Sequence, residues 1–317
     1  MLRFLIQRLL ALIPVLFTVA VIVFLILRLT PGDPAAVIAG NSATSEDIER
    51  IREQLGLNQP LWMQFWIWLK GVVQGDLGYS FYMTRPVTEL ILQRIEPTLS
   101  LAFGTIVLAI VVAVPLGTLA AWRMGGWLDR MLSGFAVAGF SVPVFVVGYL
   151  LIYVFALHLQ WFPVQGYRRL LGSSSQGVVA WAEQLVLPWL TLATIYVALI
   201  ARVTRASVSE ALTEDYIRTA RSKGLTETAV LLRHALANAA VPIVTVIGIG
   251  IALLIGGVVV TETVFAIPGL GSLTVDAVLN RDFPVIQGVV LFFSILYVLV
   301  NLLVDLSYLA LDPRIRY

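Results

Sequence analysis

The reactive side chains of this sequence do not combine into a familiar catalytic centre. The 317 residues include no cysteine, which excludes disulfides, thiolate catalysis and cysteine-bound metals. The two histidines, His158 and His234, are far apart and lack the spacing of metal ligands. No Ser/Lys, HExxH or paired-Asp arrangement of an intramembrane hydrolase is present in the apolar stretches. The sequence also lacks the G-x-x-x-x-G-K-[ST] loop that cradles nucleotide phosphates.

A short charged segment, EDYIRTARSKGL at 214–225, interrupts a chain that is otherwise apolar almost without pause. Thr213 can cap a helix over 214–223, with acidic residues in its first turn and basic residues in its last, where each sign suits the helix dipole. Gly224 can end this helix in a left-handed conformation, and Thr226 can cap the helix that follows. Both ends of the helix are therefore strongly specified.

The faces of this predicted helix leave two interpretations open. Tyr216, Ile217 and Ala220 can form one small patch, and Arg218 and Arg221 a neighbouring basic one. A basic amphipathic helix often lies on anionic lipid. The small apolar face and the fixed glycine stop instead favour a helix that fits a socket on another protein.

The composition indicates the elements that must hold this segment in place. Hydrophobic residues make up 59% of the chain and charged residues 13%, and the mean hydropathy is +0.91. The apolar residues fall into blocks about as long as a bilayer is thick, which is typical of an integral membrane protein. We therefore predict an all-α fold with six transmembrane helices, at 9–29, 99–122, 132–157, 185–203, 241–262 and 285–309.

The arginines predict the orientation. An even number of spans places both termini on one side of the membrane. Arginine is concentrated in the termini, in the short loop 123–131 and in the loop 204–240, whereas acidic residues are concentrated in 30–98. The positive-inside rule then places both termini in the cytoplasm.

The segment 30–98 is too long for a bare loop and predicts a helical extracytoplasmic insertion. SEDIERIREQLG at 45–56 has the caps of a helix, with Ser45 at its start, Gly56 at its end, and Ile48, Ile51 and Leu55 on one face. A second helix is predicted over 60–75, and its tryptophans Trp62, Trp66 and Trp68 suit a membrane interface. This insertion can be a cap over the bundle or a docking surface for an external partner.

Glu262 is an ionisable residue at the outer end of a predicted span, beside VFAIPGLG at 264–271. Two interpretations are open for it: a solvated carboxylate at the interface, or a group near an outer gate that meets a solute amine. The glycines of 241–262 favour close helix packing over room for a solute. Pro115 and Pro143 are positions at which spans can kink.

Several motifs together resemble the permeases of ABC importers, and most closely the first permease subunit of the peptide/nickel family. They include RLLALIPVLF at the start, PGDP at 31–34, QGDLGYSF at 74–81, DYIRTARSKGL in the cytoplasmic loop, VFAIPGLGSL at 264–273 and RDFPVIQG at 281–288. The resemblance covers essentially the whole chain. The triplet Arg218-Thr219-Ala220 takes the place of the family's EAA motif, and Gly224 takes the place of its glycine.

The resemblance implies a type I importer architecture in a bacterial inner membrane and a division of labour among subunits. The charged helix would be the coupling helix that docks in a cleft of an ATPase subunit. The implied coupling residues are Glu214, Asp215, Tyr216, Ile217, Arg218, Thr219, Ala220, Arg221, Ser222, Lys223, Gly224 and Leu225. The implied outer-gate or solute-path residues are Glu262, Phe265, Pro268, Gly269 and Gly271.

The implied partners are a second permease, two ATPase subunits that bind ATP and magnesium, an extracytoplasmic solute-binding protein and a peptide, with no nucleic acid and no cofactor in this chain. The expected organisation is a first span (1–29), the insertion (30–98), a five-span core (99–311) that carries the loop 204–240, and a cytoplasmic tail (312–317). Dipeptides or oligopeptides are the expected solutes, with glutathione or nickel complexes as alternatives. An intramembrane enzyme or an ungated channel remains the alternative of a different class.

Overall fold

The computed structural model is almost entirely helical and describes residues 2–29, 35–36, 44–54, 56–80, 82–172 and 175–311. The helices are α1 Leu2–Leu29, α2 Ser45–Gln54, α3 Leu61–Val73, α4 Val87–Trp122, α5 Trp127–Ser141, α6 Val144–Leu151, α7 Val178–Ala211, α8 Asp215–Ser222, α9 Ala240–Val264, α10 Leu270–Leu279 and α11 Phe283–Leu311. α6 continues into a π-helix, Ile152–His158. Tyr79–Ser80 and Arg85–Pro86 form a short antiparallel ladder, a small exception to the all-α prediction.

Five of these helices are long and apolar enough to cross a membrane by themselves. The candidate spans are Ile6–Ile26, Val87–Trp122, Val178–Ala211, Ala240–Val264 and Phe283–Tyr308. Five of the six predicted spans thus correspond to continuous helices. Several of these helices extend beyond the predicted bounds.

The predicted span 132–157 is not one straight helix. It is a pair, Trp127–Ser141 and Val144–His158, bent by 104° at the break between them. Pro143 lies in this break with an extended backbone and directly precedes α6. A proline has no N–H to continue the helix and disfavours helical geometry in the preceding residue, which explains the break. α4, by contrast, continues through Pro115.

The chain divides into two compact units, Met1–Ile95 with Ser272–Val298, and Glu96–Gly271 with Leu299–Tyr317. In the first unit, Ala20 and Val23 of α1 and Leu291 of α11 form a small core with residues of α3. The buried hydroxyl of Ser80 donates a short hydrogen bond to Asp282, just before α11. This bond ties the hairpin to the start of that helix.

In the second unit, α7 packs against α4, α5, α6 and α9, and glycines allow close approach. A Cβ at Gly104 would overlap the indole ring of Trp189, and one at Gly117 would lie 2.6 Å from the carbonyl oxygen of Ala201. The buried carboxylate of Asp129 pairs with Arg205, which fixes the start of α5 on α7.

The packing role predicted for the glycines of α9 holds for most of them. Gly248 packs against Val304, and Gly250 and Gly257 pack against Tyr196. Gly256 instead faces open space. Small residues at helix contacts are the usual means of bringing transmembrane helices together.

In the insertion, α2 begins at Ser45 itself, so the predicted cap lies within the first turn. Gly56 has a φ of +62°, and its N–H bonds to Glu53, as expected for the predicted stop. α3 spans Leu61–Val73 behind Pro60, within the predicted 60–75. The PGDP segment at 31–34, Leu55, the side chain of Ile51 and the tail 312–317 lie outside the described residues.

Candidate functional site

The charged segment forms the predicted short helix, but its start differs from the prediction. α8 spans Asp215–Ser222, and Glu214 is its N-cap, with extended backbone and no capping hydrogen bond from its side chain. The hydroxyl of Thr213 donates to the carbonyl oxygen of Glu210 at 2.7 Å. Thr213 therefore serves the carboxyl end of α7, where carbonyl groups lack helical partners, and the prediction that it caps α8 is wrong.

The end of α8 confirms the prediction for Gly224. Its φ is +78°, and its N–H bonds to the carbonyl oxygen of Arg221 at 2.9 Å. A Cβ at this position would meet no atom within 4 Å. The requirement for glycine here comes from the backbone angle, which residues with a Cβ rarely adopt, and not from lack of space.

One face of α8 is part of the protein's own core. Ile217 is fully buried and Ala220 is 6% exposed. They join Val208, Val230, Leu231 and neighbouring residues in an apolar cluster between the end of α7 and the segment after α8. The predicted patch of Tyr216, Ile217 and Ala220 is therefore split, since Tyr216 is exposed. Ala220 cannot meet a partner, because its methyl group points inward.

The opposite face of α8 is exposed. Its exposed residues, with the turn that follows, are Glu214, Asp215, Arg218, Thr219, Arg221, Ser222, Lys223, Gly224 and Leu225. Arg218 pairs with Asp215 at 3.3 Å. Together with Tyr216, these residues form the candidate docking face, a mixed polar surface on a helix whose orientation the buried Ile217 fixes.

A charged clasp joins α8 to the segment after it. The guanidinium of Arg221 donates to both carboxylate oxygens of Glu227, at 2.9 and 3.1 Å. This hydrogen bonding lowers the pKa of Glu227 and raises that of Arg221. Thr226 accepts a hydrogen bond from the N–H of Ala229, as predicted for a cap. The helical stretch that begins at Glu227 contains a π-helix, Val230–Ala235.

The second predicted site is the turn that joins α9 to α10, and it is compact as predicted. The N–H of Ile267 bonds to the carbonyl oxygen of Glu262 at 2.8 Å, and Ala266 adopts a φ of +49°. Phe265 is buried, and its carbonyl oxygen accepts a hydrogen bond from Gly166 at 2.9 Å. Pro268 is exposed. The turn is thus held by the carboxyl end of α9 and by Gly166, in the loop that follows the π-helix Ile152–His158.

Glu262 is enclosed by this turn and is 0% exposed. Thr98 donates to its carboxylate at 2.6 Å. A Cβ at Gly269 would overlap that carboxylate, and a Cβ at Gly271 would lie 2.9 Å from it. Of the two interpretations left open for Glu262, this burial excludes the solvated interface carboxylate. A role as receptor for a solute amine is also unsupported, because this carboxylate lies behind the turn.

Comparison with known proteins assigns this chain to a family. A model described as "Binding-protein-dependent transport system inner membrane component" matches residues 113–317, and the model of the corresponding N-terminal region matches residues 1–102. The chain belongs to this family. The resemblance to ABC importer permeases expected from the motifs is thereby confirmed.

Relatives of this permease match it over its full length. It is 54% identical over 314 residues to a probable peptide ABC transporter permease protein of Sinorhizobium fredii, with 99% of both chains covered. It is 47% identical over 317 residues to the glutathione transport system permease protein GsiC of Escherichia coli, with 100% of both chains covered.

Solved structures confirm the type I importer fold. The permease matches a chain of the MetNI methionine ABC transporter in an inward-facing conformation with a TM-score of 0.58 and 19% identity, covering 70% of this chain and 96% of that one. A second match, to an amino acid ABC transporter crystallised with histidines, has a TM-score of 0.52 and 16% identity, and covers 70% of this chain and 94% of that one.

The structure also identifies residues of the permease that the sequence did not single out. The hydroxyl of Thr98 donates to Glu262 and accepts from the N–H of Leu270 at 2.8 Å, so it links α4 to both sides of the turn. Glu96, two residues earlier, accepts hydrogen bonds from Tyr167 and from the N–H of Leu170. Both lie far from the turn in the sequence, and no local pattern marks a polar residue whose partners are more than 60 positions away.

Proposed function

We propose that this chain is the permease subunit of an ATP-driven importer that moves dipeptides or oligopeptides across the bacterial inner membrane. The observation that carries this proposal is the full-length similarity to a permease named for peptide transport. Glutathione, itself a tripeptide, is the second candidate, because a relative named for glutathione transport is 47% identical over the full length. Nickel complexes are a further alternative.

In this proposal the docking face of α8 seats in a cleft of an ATPase subunit. The buried side of α8 supports this role, since Ile217 and Ala220 fix the helix on the permease and leave its charged side outward. A rigid attachment is what a helix needs in order to pass a displacement of its partner to the bundle. The lipid-surface interpretation is weaker, because the exposed side of α8 is mainly polar and charged, and Tyr216 and Leu225 at its two ends do not form an apolar stripe.

ATP and magnesium would be bound by two ATPase subunits, since this sequence lacks a P-loop. The assembly would also contain a second permease and an extracytoplasmic solute-binding protein, and this chain would carry no cofactor and catalyse no reaction itself. Both termini and the loop 204–240 would face the cytoplasm, in accord with the distribution of arginine.

The turn at 264–271 would form part of the external mouth of the solute path. Its compactness and its connections to Gly166 and Thr98 support a defined element there. Glu262, Phe265, Gly269 and Gly271 would maintain its shape from behind, and the exposed Pro268 would border the path. This assigns Glu262 a positioning role and no contact with solute.

The solute can be decided with the assembled transporter. The cognate solute-binding protein is screened by calorimetry against dipeptides, longer peptides, glutathione and nickel complexes, and uptake of each binder is measured in vesicles that contain the complete complex. We expect ATP-dependent uptake of peptides and little competition by glutathione. ATP-dependent uptake of glutathione alone would replace the peptide assignment, and ATP-independent flux of small solutes would favour a channel.

A further inference from the structure

Helix α3 has the opposite pattern of burial from a helix that lies in water. Its buried residue is the polar Gln64, whereas much of its apolar surface is exposed. Trp62, Trp66 and Ile67 are 65%, 57% and 60% exposed. A helix at a water-facing surface normally buries its apolar stripe and exposes its polar residues.

Gln64 turns inward to satisfy backbone groups. Its side-chain amide donates to the carbonyl oxygens of Leu57 and Gln59, at 2.9 and 2.7 Å. These carbonyls belong to the turn that leads into α3, where the backbone is not yet helical. In water they could bond to solvent, but in hydrocarbon a partner within the protein is required.

The side of α3 that faces away from Trp66 and Ile67 packs on the first transmembrane helix. The ring of Phe65 contacts those of Phe17 and Phe24, at centroid distances of 5.8 and 5.3 Å. Trp68 contacts Phe24 at 5.7 Å. Leu69 and Val72 complete a face with helical spacing that packs on the core of α1 and α11.

The positions of these contacts along α1 define the depth of α3. The apolar span Ile6–Ile26 has 21 residues, or about 31 Å at the rise of an α-helix, close to the thickness of the hydrocarbon core. Phe24 and Phe17 lie about 3 Å and 13 Å inward from its carboxyl end, by the same rise. Phe65, which contacts both, therefore lies at the depth of the acyl chains in one leaflet.

We propose that α3 is embedded in the leaflet around the carboxyl-terminal half of α1, and that its exposed face contacts lipid. The apolar surface is continuous with the exposed side chains of α1, such as Phe17 and Ile22. Trp62 and Trp66 contact the acyl chains beside Phe65. Lys70, exposed on the same side, extends its ammonium group to the headgroups. The face is thus a lipid contact and not a docking surface for a soluble partner.

Site-directed spin labelling tests this inference, since the chain has no native cysteine. Trp66→Cys and Ile67→Cys are labelled with a nitroxide in the complete transporter, whose partner subunits are made cysteine-free, in vesicles of phosphatidylcholine and phosphatidylglycerol. Power saturation then compares collision with oxygen, which concentrates in lipid, and with the water-soluble nickel chelate Ni-EDDA. Ile22→Cys on α1 is the matched lipid control, and Gln74→Cys after α3 is the water control.

We expect the ratio of oxygen to Ni-EDDA accessibility at positions 66 and 67 to match that at 22 and to exceed that at 74 several-fold. A ratio equal to that at position 74 in both variants would overturn the inference. So would a loss of accessibility at both positions on addition of the solute-binding protein, because it would show a protein contact. The readout does not depend on which solute is transported or on how α8 couples to ATP.

Discussion

At the scale of single residues, glycine fulfils two different physical requirements in this permease. Gly224 is needed for its backbone, since its φ is +78° and the space around it is open. Gly104 is needed for its size, since it lies in the middle of α4 against the indole ring of Trp189, whose N–H donates to the carbonyl oxygen of Ser100. The two positions should therefore respond differently to the same kinds of substitution.

Gly224→Val should leave the permease expressed but uncouple ATP hydrolysis from uptake. A left-handed backbone costs a residue with a Cβ about 1–2 kcal/mol, too little to unfold the bundle but enough to change the end of α8 and the position of the docking face. ATP hydrolysis and solute uptake are measured in vesicles. Ser222→Ala is the control, and Gly224→Asn should retain most coupling, because asparagine tolerates this conformation. Normal coupled uptake by Gly224→Val would contradict the assignment of α8.

Gly104→Ala should destabilise the permease itself. The added methyl group overlaps Trp189, and overpacking of a fitted core costs about 1–3 kcal/mol. The measurement is the thermal unfolding of the purified complex, with Gly134→Ala as control, since a Cβ there meets no atom within 4 Å. Equal melting temperatures for the two variants would show that α4 and α7 are not in this contact.

At the scale of elements, α8 is held in place by burial on one side and by charge at its end. Ile217 and Ala220 anchor the helix, and the clasp between Arg221 and Glu227 fixes it to the following segment. The clasp is exposed, so its contribution to global stability is small. Its effect should instead appear in the orientation of the docking face.

Glu227→Gln should weaken coupling while leaving thermal stability nearly unchanged. We expect a several-fold lower ratio of uptake to ATP hydrolysis, and partial recovery in the double variant Arg221→Glu/Glu227→Arg. Because the pKa of Glu227 is lowered in the folded state, the clasp is fully present at pH values above the ordinary pKa of a glutamate. It is lost as the pH falls through the lowered pKa. At neutral pH the clasp of the wild type should thus be fully formed, and the difference in coupling between the wild type and Glu227→Gln should be largest. Unchanged coupling in Glu227→Gln would show that the clasp with Arg221 does not position the docking face.

At the scale of the whole molecule, the membrane orientation determines which surface meets which partner. The first and last helices of the described chain, α1 and α11, both contain candidate spans. If the bent pair of α5 and α6 counts as one span, the total is six, and the termini lie on the same side. The distribution of arginine predicts that this side is the cytoplasm and that α8 faces it.

This orientation predicts the labelling of two single-cysteine variants. Ser222→Cys lies on α8 and Gln176→Cys in the loop before α7, and both positions are exposed. In intact spheroplasts an impermeant maleimide should label Gln176→Cys and should reach Ser222→Cys only after lysis. Efficient labelling of Ser222→Cys in intact cells would reverse the orientation and exclude an ATPase as its partner.

The sequence by itself determined the features that depend on local chemistry. Blocks of apolar residues predicted the spans, because a bilayer requires helices of a certain length. The glycine stop and the flanking charges predicted α8 to within one residue at each end, since both act over a single turn, although the predicted cap at Thr213 was wrong. The motifs identified the family, and the comparisons confirmed it.

Only the tertiary structure decided which side of each element is buried. A helical wheel groups Ile217 and Ala220 with Tyr216 but cannot show that the first two enter the protein's own core. The enclosure of Glu262 depends on Thr98, 164 positions away, and on two glycines that leave room for its carboxylate. Such contacts join distant residues, and their energy depends on the geometry of the assembled bundle, which no local sequence pattern records.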